Sequence, residues 1–237
     1  MAGLAAGKSS APNLAGSGVA PQASIISVKV DSLLKNRRIC GSAKPCSVFF
    51  DSDLLRGLEF VYKQRRAFNI ASISVSVGGR SNKRGCLRSP IRRTVAKLRR
   101  SNIATIAASG NEGAANRLSS PACIPGVISV GATNTADAVL SYSNSASTLS
   151  LLAPGDKIGL PMPGVVSAGN EVVSSGTSLS ASLVSGAWAA LKSHKPTATV
   201  DEILGALGNT GVPVFDPKNG LTKRRIQVNQ AHAAIIP

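Results

Sequence analysis

Apolar positions along the chain alternate between two rhythms. Short runs rich in β-branched residues stand at 25–30 (IISVKV), 70–77 (IASISVSV), 103–108 (IATIAA) and 127–130 (VISV), and they read as strands. Between the first two, DSDLLRGLEFVYKQRRAF repeats its apolar residues Leu54, Leu55, Leu58, Val61 and Tyr62 at helical spacing, behind Asp51 as a candidate cap. Between the next two, Ser89 and Pro90 open a second helix that turns Ile91, Val95 and Leu98 inward. Strands that alternate with helices imply right-handed crossovers. The expected fold is therefore α/β, with a doubly wound, mainly parallel sheet and helices on both faces.

After the fourth run the pattern changes to SYSNSAST and then LSLLAPG, which read as strand ends and surface loops turning at Pro154 and Gly155. A long amphipathic helix then starts at Ser178. Its stripe is Leu179, Leu183, Val184, Ala187, Trp188 and Leu191, and Pro196 ends it. Thr199 followed by Glu202 is a capping box for a last helix burying Ile203, Leu204 and Leu207. The division expected is one domain over 1–212 and an irregular, basic tail over 213–237. The opening segment MAGLAAGK reads as a helix entered in its middle, since no cap precedes it.

A chain of 237 residues that is 43% hydrophobic can bury one good-sized core. Its 27 Lys and Arg against 11 Asp and Glu give a net charge of +16, a long-range preference for polyanions, anionic surfaces or acidic substrates. The basic clusters at 35–38, 63–66, 92–100 and 223–225 are separated by apolar segments, as solvated faces would be. Aromatic residues are only 3% and do not interleave with those clusters, which argues against a nucleic-acid stacking platform. No apolar run approaches the length of a membrane span, and no signal peptide opens the chain. The four cysteines, Cys40, Cys46, Cys86 and Cys123, lack CxxC spacing, so disulfides of an exported protein fit better than zinc, and three pairings are open.

Three strand ends are marked by glycine: Ser76-Val77-Gly78-Gly79, Ser109-Gly110-Asn111-Glu112-Gly113 and Gly176-Thr177-Ser178. In open parallel sheets chemistry gathers where strands end and helices begin, because backbone N–H groups and helix dipoles converge there. A serine in the first turn of a helix has its hydroxyl beside unpaired donors, and a loop asparagine can add another, the arrangement that acyl transfer needs. Singly, Ser178 reads as an ordinary N-cap and Asn111 as a residue tolerant of a left-handed turn. Together and in this order they point to a hydrolase.

At these residues the chain resembles the subtilisin-like serine endopeptidases, or subtilases. AASGNEG resembles the family's oxyanion segment, SSGTSLSASLVSGAW its nucleophile segment, and GSGVAPQASIISVKV and PGVISVGAT two of its structural strands. The resemblance runs from residue 2 to about 212 and implies a subtilisin-like three-layer fold. It implies Ser178 as nucleophile and Asn111 as oxyanion donor. Ser76, Val77 and Gly78 would be an edge pairing with extended peptide or protein substrate, and Gly110 would flank the pocket before the scissile bond. It also implies the pairings Cys40 with Cys46 and Cys86 with Cys123, a secreted protein, and no cofactor; a calcium site is not legible, nor is the oligomeric state.

A serine hydroxyl needs a neighbouring base, and the subtilase order is Asp, His, Ser. No histidine precedes Ser178; the only two are His194 and His232. Sixteen residues of helix at about 1.5 Å each put His194 roughly 24 Å from the hydroxyl. A reordered triad of Ser178, Asp201 or Asp216, and His232 would match α/β-hydrolases, but their G-x-S-x-G elbow is broken by Ser180. Since AGLAAGK resembles the continuation of the family's histidine-bearing helix, the chain is expected to be the C-terminal part of a subtilase, inactive alone. The alternative is a non-catalytic peptide-binding relative. Leu179, Ser182 and Leu183 replace the Met, Pro and His of the usual GTSMAAPH, an expectation of a relaxed site.

Overall fold

The computed structural model describes residues 1–8, 17–42, 45–79, 83–160 and 172–236. In chain order these hold α1 (Ala2–Ala6), β1 (Asp31–Leu34), α2 (Arg37–Cys40), β2 (Cys46–Phe49), α3 (Asp51–Gln64), β3 (Ser72–Val75), α4 (Lys83–Arg88), α5 (Ile91–Arg100), β4 (Ala104–Ala108) and β5 (Ile128–Thr133). There follow β6 (Leu151–Pro154), β7 (Ile158–Leu160), β8 (Val172–Ser174), α6 (Thr177–His194), α7 (Val200–Asn209), β9 (Val212–Asp216), β10 (Leu221–Arg225) and α8 (Val228–Ile235). One sheet organises the molecule, in the order β3-β4-β5-β6-β10-β9. Every neighbouring pair in it is parallel except β9 with β10.

The doubly wound expectation holds. On one face α6, α7 and α8 bury Val184, Trp188, Leu191, Ile203 and Leu207 against Ile106, Ile128 and Leu151. On the other, α3 and α5 pack Leu58, Ile91, Val95 and Leu98 against Val75 and Leu152. A parallel sheet covered on both faces needs strands without polar alternation, and β4 and β5 are buried at every position. Helix α6 lies across β3 to β6, so its first turn meets the ends of several strands.

Two expectations for the first half need correction. Residues 25–30 form no strand; they run without strand pairing, with Ile25 and Ile26 exposed, and the first ladder is instead β1 with β2, antiparallel. Side-chain packing explains the alternation there: a β-carbon on Gly57 would come within 2.8 Å of Val30 Cγ1, so this segment lies tightly on α3. Asp51 is the first helical residue rather than the cap, which is Phe50. With Asp53 it places negative charge at the positive end of the α3 dipole. In α5 the cap position is Pro90, while the Ser89 hydroxyl accepts the Ile91 N–H at 3.3 Å.

Two further corrections concern the second half. LSLLAPG is no surface loop: Leu151, Leu152 and Ala153 are wholly buried in a central strand. Nor are residues 213–237 an irregular tail. β9 and β10 form a hairpin around Asn219-Gly220, with Gly220 at φ 71°, and β10 extends the main sheet by pairing with β6. Ile226, Ala231 and Ile235 then join the core. The capping box on α7 forms as expected, with Glu202 N–H on the Thr199 hydroxyl and the Glu202 carboxylate on the Thr199 N–H. The cysteines pair as Cys40 with Cys46 and Cys86 with Cys123.

Candidate acyl-transfer site

The three glycine-marked segments meet at one end of the sheet. Ser178 is the second residue of α6 and half-buried, and its hydroxyl donates to the Ser76 carbonyl at 3.3 Å. The Ser76 hydroxyl returns a bond of 3.4 Å to the Ser178 carbonyl. These two bonds latch the helix start to the end of β3. The backbone groups of Val77 and Gly78 bond no other described residue, while Gly79 pairs with Ser120 across a single antiparallel bridge. A segment whose Val77 and Gly78 backbone groups meet no partner among the described residues therefore follows the contact with the Ser178 hydroxyl.

The orientation of the Asn111 amide follows from its partners. Both the Thr177 N–H, at 3.0 Å, and the Thr177 hydroxyl, at 2.9 Å, approach Oδ1. A backbone N–H can only donate, so that atom is the oxygen and Nδ2 is turned away. The Thr177 hydroxyl in turn accepts the Gly110 N–H at 3.3 Å, binding the asparagine loop to the helix start. Gly176 shows where Nδ2 points. A β-carbon there would lie 3.6 Å from Asn111 Nδ2 and 4.0 Å from the Ser178 nitrogen. Asn111 Nδ2 and the Ser178 nitrogen thus both lie near Gly176, with Asn111 Oδ1 also 4.0 Å from that position, at the positive end of an 18-residue helix. Gly176 itself has φ 156°.

Beneath Asn111 lies a polar cluster that the sequence did not announce. Asn144 is 1% exposed, and its Oδ1 accepts the Glu112 and Ala114 N–H groups. Its Nδ2 donates to the Ser109 carbonyl, the Glu112 carboxylate and the Ser119 hydroxyl. Gly110 sits above this cluster at φ 108°. On the other side the Tyr142 hydroxyl donates to the Gly155 carbonyl at 2.6 Å, and Gly155 also accepts the Gly176 N–H. Burial, with Asp156 nearby, raises the Tyr142 pKa, so the phenol stays a donor.

The histidines are elsewhere. His194 ends α6, at the opposite end from Ser178, and its ring stands edge-on to His232 of α8, with centroids 4.5 Å apart. Asp201 pairs with Arg99, and Asp216 accepts the Lys218 N–H within its own turn. The reordered triad is not assembled. Ser180, where the elbow would need glycine, instead donates to the Ala153 and Pro154 carbonyls and anchors α6 to the end of β6. Ser182 bonds back to the Ser178 carbonyl at 2.9 Å, and Leu179 is buried.

A parallel α/β sheet with a long helix starting at its strand ends is an arrangement shared with known proteins. The family model described as "Subtilase family" matches residues 1–230. The chain belongs to the subtilase family. Subtilisin E of Bacillus subtilis (strain 168) is 32% identical over 197 residues, 81% of this chain but 45% of that protein. Subtilisin of Bacillus pumilus is also 32% identical over 197 residues, which make up 62% of its length. The chain thus spans about half the length of the curated subtilisins it matches. Among solved structures, one titled Patellamide maturation protease PatA superposes with TM-score 0.72 at 28% identity, covering 94% of this chain and 79% of that one. Prenylagaramide maturation protease PagA, at 23% identity and TM-score 0.66, shares the fold. Among the described residues no group of three or more His, Cys, Asp or Glu could hold a metal, and no helix is long and apolar enough to cross a membrane.

Proposed function

We propose that this end of the sheet is the acyl-transfer centre of a subtilase: Ser178 is the nucleophile, and Asn111 Nδ2 with the Ser178 N–H receives the oxyanion. The observation that carries the reading is that Asn111, anchored through its Oδ1 on Thr177, has its Nδ2 near Gly176 together with the Ser178 nitrogen, at the start of the helix that bears the Ser178 hydroxyl. Preorganised donors of this kind stabilise a tetrahedral intermediate by a few kcal/mol each, about 3 for a single asparagine. The edge at Ser76 to Gly78, where the Val77 and Gly78 backbone groups meet no partner among the described residues, holds extended peptide by strand addition, with Gly110 beside the residue preceding the scissile bond. Peptide or protein is therefore the substrate class, and the disulfides fit an exported protein.

These 237 residues on their own bind peptide without turning it over. Deprotonation of Ser178 requires a general base within about 3 Å, in this family an imidazole, and both histidines of the chain lie at the far end of α6. The chain alone is a peptide-binding module with an oxyanion cradle, and hydrolysis needs a base from outside these residues.

Val77→Pro tests the edge, since proline removes one N–H from the segment and cannot donate to a ladder. Fluorescence anisotropy with a labelled extended peptide is expected to show binding to the parent chain and at least about tenfold weaker binding to the variant. Equal binding by both would contradict strand addition at this edge.

A further inference from the structure

Beside the strand edge lies a groove that the acyl-transfer reading does not use. It is a concavity of about 650 Å³ between α4 and α5, lined by Arg88, Arg92 and Arg93 over Leu87, Pro90 and Ala96. Among the described residues no carboxylate lines it. Residues 86–100 (CLRSPIRRTVAKLRR) hold six basic side chains and no acidic one. Among the described residues only Arg99 of this stretch meets a carboxylate, that of Asp201. Arg88, Arg92 and Arg93 are exposed and close together, and among the described residues no carboxylate offsets their mutual repulsion. The inward face of the same helix, Ile91, Val95 and Leu98, is fully packed, so these arginines are fixed on a rigid support.

Topology places the groove. A helix crossing between two parallel strands runs opposite to them, so the N-terminus of α5 lies at the end of the sheet where β3 finishes. That is the end carrying Ser76 to Gly78. Two further links fix the neighbourhood: the Cys86–Cys123 disulfide ties α4 to the 119–123 loop, and that loop meets the edge through the Gly79–Ser120 bridge. A β-carbon on Gly78 would lie 3.8 Å from Ser119 Cβ.

We propose that this arginine groove continues the peptide edge and selects peptides with acidic side chains outside the residues at the scissile bond. This rests on the reading of Ser76 to Gly78 as a peptide-binding edge. A guanidinium can take a carboxylate through two parallel N–H donors, and three of them around one concavity give a tract of aspartates several partners at once. The net charge of +16 adds long-range attraction for such a substrate. Its place at the same end of the sheet as the edge favours peptide over other polyanions, and among the described residues no aromatic side chain lines the groove to stack on a base.

The test uses the whole chain and two labelled extended peptides, identical except that several aspartates in one are asparagines in the other. Anisotropy at about 150 mM salt is expected to show the Asp peptide bound roughly tenfold more tightly, the yield of a few exposed ion pairs. Combining Arg92→Glu with Arg93→Glu should abolish that preference, with circular dichroism confirming the fold. Equal affinity for the two peptides in the parent chain would overturn the inference while leaving the edge intact. So would a preference that survives the double reversal, or displacement of the Asp peptide by duplex DNA or anionic vesicles at equal charge. Failure of both peptides to bind would overturn the edge and the groove together, and Val77→Pro separates the cases: the Asn peptide should lose its binding to that variant, since it reports on the edge alone.

Discussion

Gly110 shows how much of this site depends on single residues. At φ 108° it occupies a region that L side chains rarely adopt, and a β-carbon there would come within 2.3 Å of both Asn144 Nδ2 and Ser119 Oγ. Gly110→Ala is therefore expected to cost about 2 kcal/mol or more, because strain and broken hydrogen bonds add. Urea unfolding would measure it, and a change within a few tenths of a kcal/mol would show that the loop has room to shift. Ser178, Asn111, Ser76, Val77, Gly78 and Gly110 were all singled out from glycine-marked strand ends, and the structure brings them to one place. Thr177 stands in one of those segments without a role of its own, and Asn144, which braces the Asn111 loop, in none. Asn144 lies 33 residues beyond Asn111 in a polar stretch, SYSNSAST, that carries no local signal of burial.

Among the elements, α7 and the C-terminal hairpin show where sequence patterns inform and where they fail. The Thr199–Glu202 box was legible because both partners lie within one turn. The backbone and hydroxyl bonds from Thr199, with help from Lys195, bring the Glu202 carboxyl down to about 2. A carboxyl depressed in the folded state stabilises above its unfolded pKa, about 4.3. That contribution is lost as pH falls from there through the folded value. Glu202→Gln should therefore flatten the loss of stability between about pH 4.5 and 2, measured by thermal melts across that range. Identical pH profiles would refute the cap's role. The hairpin is not legible because β10 finds its second partner in β6, some 70 residues away, and because Lys223, Arg224 and Arg225 read as tail. Since Ile226, Ala231 and Ile235 complete the core, a chain ending at residue 212 is expected not to fold, giving insoluble protein or a spectrum without helical minima. A soluble, cooperatively melting 1–212 fragment would contradict this.

For the whole molecule, alternating strands and helices made the doubly wound sheet legible, because a crossover needs only local pattern and a handedness rule. Strand partners were less legible: the alternation at 25–30 satisfies α3 rather than a sheet, a choice no short window encodes. The same scale governs activity. Helix α6 separates Ser178 at one end from the paired rings of His194 and His232 at the other. Treating the purified chain with a fluorophosphonate and weighing it intact tests this most directly. The account predicts no adduct beyond that seen with Ser178→Ala, whereas stoichiometric labelling of Ser178, abolished by that substitution, would show that a base within the chain reaches the hydroxyl.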